Sequence, residues 1–206
     1  MTRQGRIHNR NRIPFGFMYY GEKVKLRALE MSDLDNIMKG WNNFEMRRFL
    51  AHAMPMSQNA EREWLERATK AKPWQDGNIV LAIEDKRTGE FLGTVSLFDI
   101  SKQMQRAEFG IAIHNPNNFG KGYGTDATKV MLWIGFQVLG LNSIYLYTAS
   151  YNERGRKTYE KAGFKIIGDF RQAVFMEGQF HDLIAMDILK EEFLEMYPPG
   201  KVVGEA

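Results

Sequence analysis

The stretch Phe119-Gly120-Lys121-Gly122-Tyr123-Gly124-Thr125-Asp126-Ala127 sets three alternating glycines between a strand-like run and an amphipathic helical run. Glycine permits φ > 0 and lets a ligand approach the backbone closely. A helix starting there turns unpaired N–H groups and the positive end of its dipole toward an anion. Lys121 and a capping Thr125 add donors of their own. The stretch therefore reads as a backbone cradle for phosphate.

Spacing narrows the ligand. A triphosphate loop needs G-x-x-x-x-G-K-[ST], whereas Lys121 is followed by Gly122, which leaves no hydroxyl where magnesium would be held. A dinucleotide fingerprint needs G-x-G-x-x-G and an acidic residue about 20 positions on. This loop is G-x-G-x-G and leads instead into Leu139-Gly140-Leu141-Asn142-Ser143-Ile144. A glycine-rich connection without a ligand is the plain alternative, because glycine clusters also mark ordinary turns.

The flanks supply the fold. Before the loop, Arg106 to His114 reads as a strand, and after it Ala127, Val130, Met131, Ile134 and Val138 fall at helical spacing, predicting a helix to about Leu139 with Gly140 as its stop. Ser143 to Thr148 is then a β-branched and aromatic strand. Strand, loop, helix, strand is a βαβ unit, so the two strands should be parallel with a right-handed crossover. Upstream, Asn78–Glu84 and Glu90–Asp99 form a hairpin across Thr88-Gly89, and Lys23–Leu29 alternates as a half-buried strand. Ser32 should cap a helix carrying Leu34, Ile37 and Met38, and another helix starts near Ser57. Downstream come a helix from about Glu153 to Lys161 and a hairpin of Phe164–Met176 with Gln179–Leu189. The fold class is α/β of mixed type, a mostly antiparallel sheet flanked by helices. An N-terminal arm of residues 1–21, a domain of 22–190 and a tail of 191–206 are expected.

With 206 residues, 44% of them hydrophobic and 13% aromatic, the chain can bury one substantial core. No apolar run approaches the ~20 residues of a membrane helix, no segment reads as a signal peptide, and a cytoplasmic protein with no membrane partner is expected. The absence of cysteine excludes a disulfide framework, a thiolate metal site and an acetyl-cysteine intermediate. His8, His52, His114 and His181 lack ligand spacing, so no metal is expected. Net charge is only +3, yet Arg3, Arg6, Arg10 and Arg12 precede the first acid, followed by Phe15, Phe17, Tyr19 and Tyr20. Basic plus aromatic residues suit single-stranded nucleic acid. The favoured reading is instead a terminus whose aromatic part docks on the body or on a second subunit, as in a homodimer.

Ala107-Glu108-Phe109-Gly110-Ile111-Ala112-Ile113, the loop Gly120 to Thr125, and Asn152 through Tyr159 to Gly163-Phe164 together resemble the GNAT superfamily of N-acetyltransferases. The resemblance spans about residues 22 to 190. It is densest in the branch of ribosomal-protein N-terminal acetyltransferases and spermidine N-acetyltransferases, on Arg106-Ala107-Glu108-Phe109, Tyr159 to Phe164 and Gly178-Gln179-Phe180-His181-Asp182. The loop motif of that superfamily is Q/R-x-x-G-x-G/A. Its opening position is Phe119 here, which puts a polar side-chain contact from that residue in doubt.

The resemblance implies acetyl-CoA as cosubstrate, its pantetheine arm lying between two splayed parallel strands. The cofactor contacts implied are the backbone of Ile111, Ala112 and Ile113, the loop residues Phe119, Gly120, Lys121, Gly122, Tyr123, Gly124 and Thr125, and Asn152 with Tyr159. The Ile111 N–H would bond the thioester carbonyl and stabilise charge as the amine attacks. Gly110 suits a bulge, a close ligand or tight packing. An alkyl amine of pKa about 10 must lose a proton to attack. Glu108 is the candidate base, its plain alternative being a pair with Arg106. Tyr159 is the candidate acid toward the leaving thiolate, with core packing as its alternative.

Direct attack in a ternary complex follows, since no nucleophile offers itself for an acyl-enzyme. By the same resemblance the region Trp41 to Pro55 forms part of the acceptor wall. The acceptor is a peptide N-terminus or a small amine such as a polyamine, for which Glu30, Asp33, Asp35 and Glu45 could supply carboxylates. A catalytically silent CoA-binding module and an RNA-associated protein using the arm are the alternatives.

Overall fold

A computed structural model describes residues 19–50 and 54–198. Its frame is one eight-stranded sheet in which chain order is kept except at the end, where the last two strands exchange places. The strands are β1 (Tyr19–Tyr20), β2 (Val24–Ala28), β3 (Ile79–Asp85), β4 (Phe91–Ser101), β5 (Arg106–Ile113), β6 (Ser143–Ala149), β7 (Lys165–Met176) and β8 (Gln179–Leu189). All neighbours are antiparallel apart from β5 and β6. That parallel pair needs a crossover, which α5 (Tyr123–Trp133) provides.

Period-two alternation divides the side chains between two faces. In β3, Leu81 and Ile83 join the main core with Val95, Leu97, Phe109, Met131 and Ile144. Between them, Val80 and Ala82 point the other way, to α1 (Leu34–Trp41) and α3 (Gln58–Ala68), which bring Leu34, Ile37 and Leu65 to a second cluster. The short helices α2 (Phe44–Arg47) and α4 (Pro73–Asp76) flank α3 in the chain, and α6 (Glu153–Ala162) lies beside α5. The helix expected to start near Ser57 does so, with Ser57 as its cap, accepting from the Ala60 N–H at 3.1 Å.

Local chemistry departs from expectation in several places. The first cap is not Ser32. Residues Met31–Asp33 form a 3-10 turn in which Asp33 accepts from the Glu30 N–H at 2.9 Å and from Arg27 at 2.7 Å, so a buried carboxylate starts this helix. Thr125 is not a cap either: Gly122, at φ +88°, precedes the first residue of α5 and Thr125 sits inside it. The helix expected to run to Leu139 widens into a π-helical turn over Ile134–Val138, beyond which Gly140 does end it at φ +66°.

Ordered chain continues on both sides of residues 22–190. Tyr19 and Tyr20 are paired in β1, and the Tyr19 ring meets Trp133 at 5.9 Å. The helix α7 (Lys190–Met196) buries Phe193 completely, 5.2 Å from Phe136. Removing that ring would cost about 3–5 kcal/mol, so 191–196 belongs to the folded body. The arginines and Phe15 and Phe17 of the arm, His52 and residues 199–206 lie outside the described residues. No described helix is long and apolar enough to cross a membrane.

Candidate active site

Pairing between β5 and β6 stops after three residue pairs, Arg106 with Ser143, Ala107 with Ile144 and Glu108 with Tyr145. From there β5 stays with β4 as far as Ile113, and β6 stays with β8 as far as Ala149. The two strands diverge and a cleft of about 910 Å³ opens between them. The His114 N–H bonds back to Leu92 O in the β4 direction at 2.9 Å. Alternation along β5 therefore turns the N–H groups of Ile111 and Ile113 toward the gap. Unpaired strand donors are costly to bury, and here they face a space a ligand can fill.

The glycine loop closes one end of this cleft. Gly120 and Gly122 both have positive φ, +72° and +88°, and a Cβ on Gly120 would meet nothing within 4 Å. At Gly120 the need for glycine is thus conformational and not a lack of room. Three anchors hold the loop. The buried Asp126 carboxylate accepts the N–H groups of Glu22, Lys23 and Val24 at 3.0, 2.7 and 2.9 Å, nailing the first turn of α5 to the start of β2. Tyr123 donates its hydroxyl to Asp85 at 2.6 Å, and with the Thr88 and Arg87 N–H groups holds that carboxyl down at about 2. Lys23 Nζ bonds Lys121 O at 2.8 Å, while Lys121 Nζ reaches Asn118 Oδ1 at 3.1 Å.

The second wall is α6. Asn152 caps it, accepting from the Gly155 N–H at 3.0 Å and donating to Thr148 Oγ1 at 3.2 Å. Tyr159 stands one turn before the end of α6, edge-on to Phe109 and Phe164 with centroids 6.1 Å away. Burial pushes its phenol up to about 12. Its ring packs against the core, yet the residue also lines the cleft. Glu108 stands where the strands part. Burial raises its carboxyl, the Asp99 charge adds to that, and Tyr145 and Arg106 oppose it. The expected alternative, a pair with Arg106, does not form: that guanidinium lies 4.4 Å over the Tyr145 ring, and no described cation forms a salt bridge with Glu108.

A second, open cavity of about 1150 Å³ lies between α1, α3 and the other face of the sheet. It shares Leu50, Phe98, Gly110, Ile111 and Ala112 with the cleft, so the two spaces meet at β5. Gly110 makes no bulge there; a Cβ would stand 2.9 Å from the Phe98 ring and 3.0 Å from Ser96 Oγ, so packing requires it. Trp41 stacks flat on His114 at 5.5 Å, and Gly40 lets α1 approach His114 more closely than any side chain would allow. Burial pushes His114 down to about 4, which leaves it neutral. Glu61 is also buried, and burial raises its carboxyl against the influence of Trp41 and Arg47.

The carboxylates around this cavity come from α3 and α4, namely Glu61, Glu63, Glu66 and Asp76, together with the cations Arg67 and Lys70. Glu30, Asp33, Asp35 and Glu45 do not line it. Asp33 is committed to Arg27. Sequence reading thus brought Glu108, the β5 backbone, the loop, Asn152 and Tyr159 to one cleft; Trp41 and Phe49, which line the two spaces, fall in the Trp41 to Pro55 region that the resemblance assigned to the acceptor wall, whereas Glu61, His114 and Arg154 were missed. A basic residue two places after the capping Asn152 was the one available signal for the last of these.

Comparison with known proteins decides the family. The Acetyltransferase (GNAT) domain family matches residues 23–165. The chain belongs to the GNAT acetyltransferases. It is similar to the spermidine N(1)-acetyltransferase of Escherichia coli strain K12, with 31% identity over 87% of this chain and 94% of that one. Its fold matches a spermidine N-acetyltransferase from Vibrio cholerae solved with CoA and spermine, at TM-score 0.74 and 29% identity over 84% of this chain and 98% of that one. A GNAT acetyltransferase from Bacillus anthracis, 18% identical at TM-score 0.73 and covering 84% and 99%, shares the fold. The protein is accordingly an N-acetyltransferase, with the mixed α/β fold and enzyme class expected of it.

Proposed function

We propose that this acetyltransferase moves the acetyl group of acetyl-CoA to a small polycationic amine by direct attack in a ternary complex. The observation that carries the reading is the meeting of two spaces at β5, a cleft with an anion cradle at its end and a cavity bordered by carboxylates. The cleft fits the cosubstrate because the cradle is open where a side chain would sit, and because β5 presents unpaired N–H groups along the gap. The relatives from E. coli and V. cholerae, spermidine acetyltransferases, support a polyamine as the acceptor.

In this mechanism the backbone N–H groups of Gly120, Lys121 and Gly122 and the first N–H groups of α5 hold the pyrophosphate, and Ile111 and Ile113 pair with the pantetheine amide. The Ile111 N–H faces the thioester oxygen as negative charge builds on it. Glu108 takes the amine proton, directly or through one water, and its raised pKa suits that task. The N–C bond forms, the C–S bond breaks, and the sulfur leaves as a thiolate. Tyr159, at about 12, lies roughly 3.5 units above a thiol of pKa about 8.5. Full proton transfer to sulfur would be uphill by about 5 kcal/mol. Tyr159 therefore stabilises the thiolate by hydrogen bond; one amine proton has gone to Glu108 before attack, and the second, shed by nitrogen as the amide forms, protonates the thiolate and closes the balance.

Thiol release from acetyl-CoA, measured with spermidine, spermine and N-terminal peptides as acceptors, tests the reading. Turnover with the polyamines and little with peptides is expected, and the reverse preference overturns the acceptor assignment. Parallel double-reciprocal lines would overturn direct attack. A homodimer belongs to the same reading, supported by the exposed Ile166, Ile167, Phe170, Phe175 and Phe180 on β7 and β8. A monomeric mass in sedimentation equilibrium would remove it.

A further inference from the structure

We propose that Arg154, on α6, is the side-chain cation that grips the cofactor pyrophosphate in this chain. The assignment rests on the acetyl-CoA reading above and adds a residue to it. The guanidinium of Arg154 lies 3.8 Å from the centroid of Phe119 and 4.8 Å from that of Phe49, a planar cation held between two rings. All three residues line the donor cleft, and Phe119 directly precedes the first glycine of the cradle.

Among the described residues no carboxylate forms a salt bridge with Arg154, while its neighbours on the helix are paired, Arg156 with Glu160 at 3.6 Å and Lys157 with Glu153 at 3.9 Å. It stands in the first turn of α6, where the helix dipole is positive and a cation is disfavoured. Desolvation also lowers its pKa. The two cations at the loop itself are engaged within the protein, Lys23 with Lys121 O and Lys121 with Asn118. Phe119 contributes no charge and serves instead as the surface on which the guanidinium lies. Stacking between rings leaves the N–H edges of a guanidinium free, and a fork of parallel donors matches two phosphate oxygens. A cation without a counter-ion, pre-oriented beside an anion cradle, is completed by a pyrophosphate.

Calorimetric titration of the full chain with CoA, 3′-dephospho-CoA and pantetheine tests this, for the wild type, Arg154→Met and the double variant Phe119→Arg/Arg154→Met. Thermal melting confirms that each variant is folded. Arg154→Met is expected to weaken CoA and dephospho-CoA alike by about tenfold or more, to flatten the salt dependence of binding, and to leave pantetheine unchanged. The double variant should regain part of the loss, because it returns a guanidinium to the head of the loop. Equal losses for all three ligands would mean that Arg154 only shapes the cleft, and would overturn the assignment. A loss seen with CoA but not with dephospho-CoA would overturn it in favour of the 3′-phosphate, and unchanged CoA binding would overturn it outright. A wild type that binds no CoA would instead sink the acetyl-CoA reading on which the assignment rests.

Discussion

The donor cleft and the acceptor cavity meet at the same residues of β5 yet are made of different material. The cleft is mostly backbone: two diverging strands, glycines at positive φ and the first N–H groups of a helix. The cavity is mostly side chain, with Trp41 stacked on His114, Glu61 buried beside them, and exposed acids on α3 and α4 at the rim. Backbone geometry binds whatever carries a pyrophosphate and an amide chain, and substitution can hardly retune it without breaking it. A wall of side chains can change acceptor one residue at a time. If this division is right, donor-side substitutions act on turnover or cosubstrate binding with little dependence on the amine, and acceptor-side ones do the reverse.

The largest effect is expected at the donor side. Tyr159→Phe removes a hydrogen bond to developing negative charge and should lower kcat by about 10²–10³-fold with every amine, while the KM for acetyl-CoA stays within about twofold. Steady-state thiol release measures both, and full activity in the variant would leave Tyr159 as core packing only. Gly122→Val comes next. At φ +88° a β-branched residue costs roughly 1–3 kcal/mol, and its Cβ would press on Lys23 Nζ at 3.2 Å. Affinity for CoA should fall by up to about a hundredfold. Unaltered CoA affinity would show that the loop is an ordinary turn and not a cradle.

The same division explains what could be read from the sequence. Alternating glycines, the change from period two to helical spacing and the second strand gave the parallel pair, because each signal is local to its own segment. The splay is not local and was implied only by the family resemblance, since it depends on β6 being kept by the distant β8 after Tyr145 while β5 is kept by β4. The acceptor side gave no local signal of this kind, and only the family resemblance pointed to Trp41 to Pro55. Trp41, Glu61 and His114 are 20 and 53 residues apart along the chain, and only the packing of α1 and α3 on the sheet brings them together. Acids near the first helix were proposed on proximity in sequence, but Asp33 is spent on Arg27 and on starting α1. Helix caps failed for a related reason. Ser32 and Thr125 have suitable side chains, but a buried ion pair in one case and a left-handed glycine in the other set the start of the helix.

On the acceptor side, His114 carries a pH signature. Its ordinary value of 6.5 falls to about 4 in the folded chain, through burial against Trp41 and Phe91. A depressed histidine binds protons in the unfolded state first, so its contribution to stability is complete above pH 6.5 and is lost as pH falls toward 4. Between pH 6.5 and 5 the loss should amount to about 2 kcal/mol. Urea unfolding at several pH values should show this slope in the wild type and a flatter one in His114→Gln, whose amide can still donate to Ile37 O. Equal slopes would mean that His114 titrates normally and that its cavity wall is wet.

The smallest effect expected is also the one that separates the two regions most cleanly. Glu63, Glu66 and Asp76 lie at the cavity rim and are exposed, so each contributes little alone, about 0.5 kcal/mol toward a cationic acceptor. Changing all three together, as Glu63→Gln, Glu66→Gln and Asp76→Asn, should raise the KM for spermine by about tenfold and that for a monoamine by much less. The KM for acetyl-CoA should stay put, because these residues are absent from the lining of the donor cleft. Added salt should weaken spermine binding in the wild type and have less effect in the triple variant, since exposed charges act through a screened field. A triple variant that loses acetyl-CoA and spermine equally would collapse the distinction between the two spaces. One that keeps full spermine affinity would move acceptor recognition inward, to Glu61 and the Trp41 face.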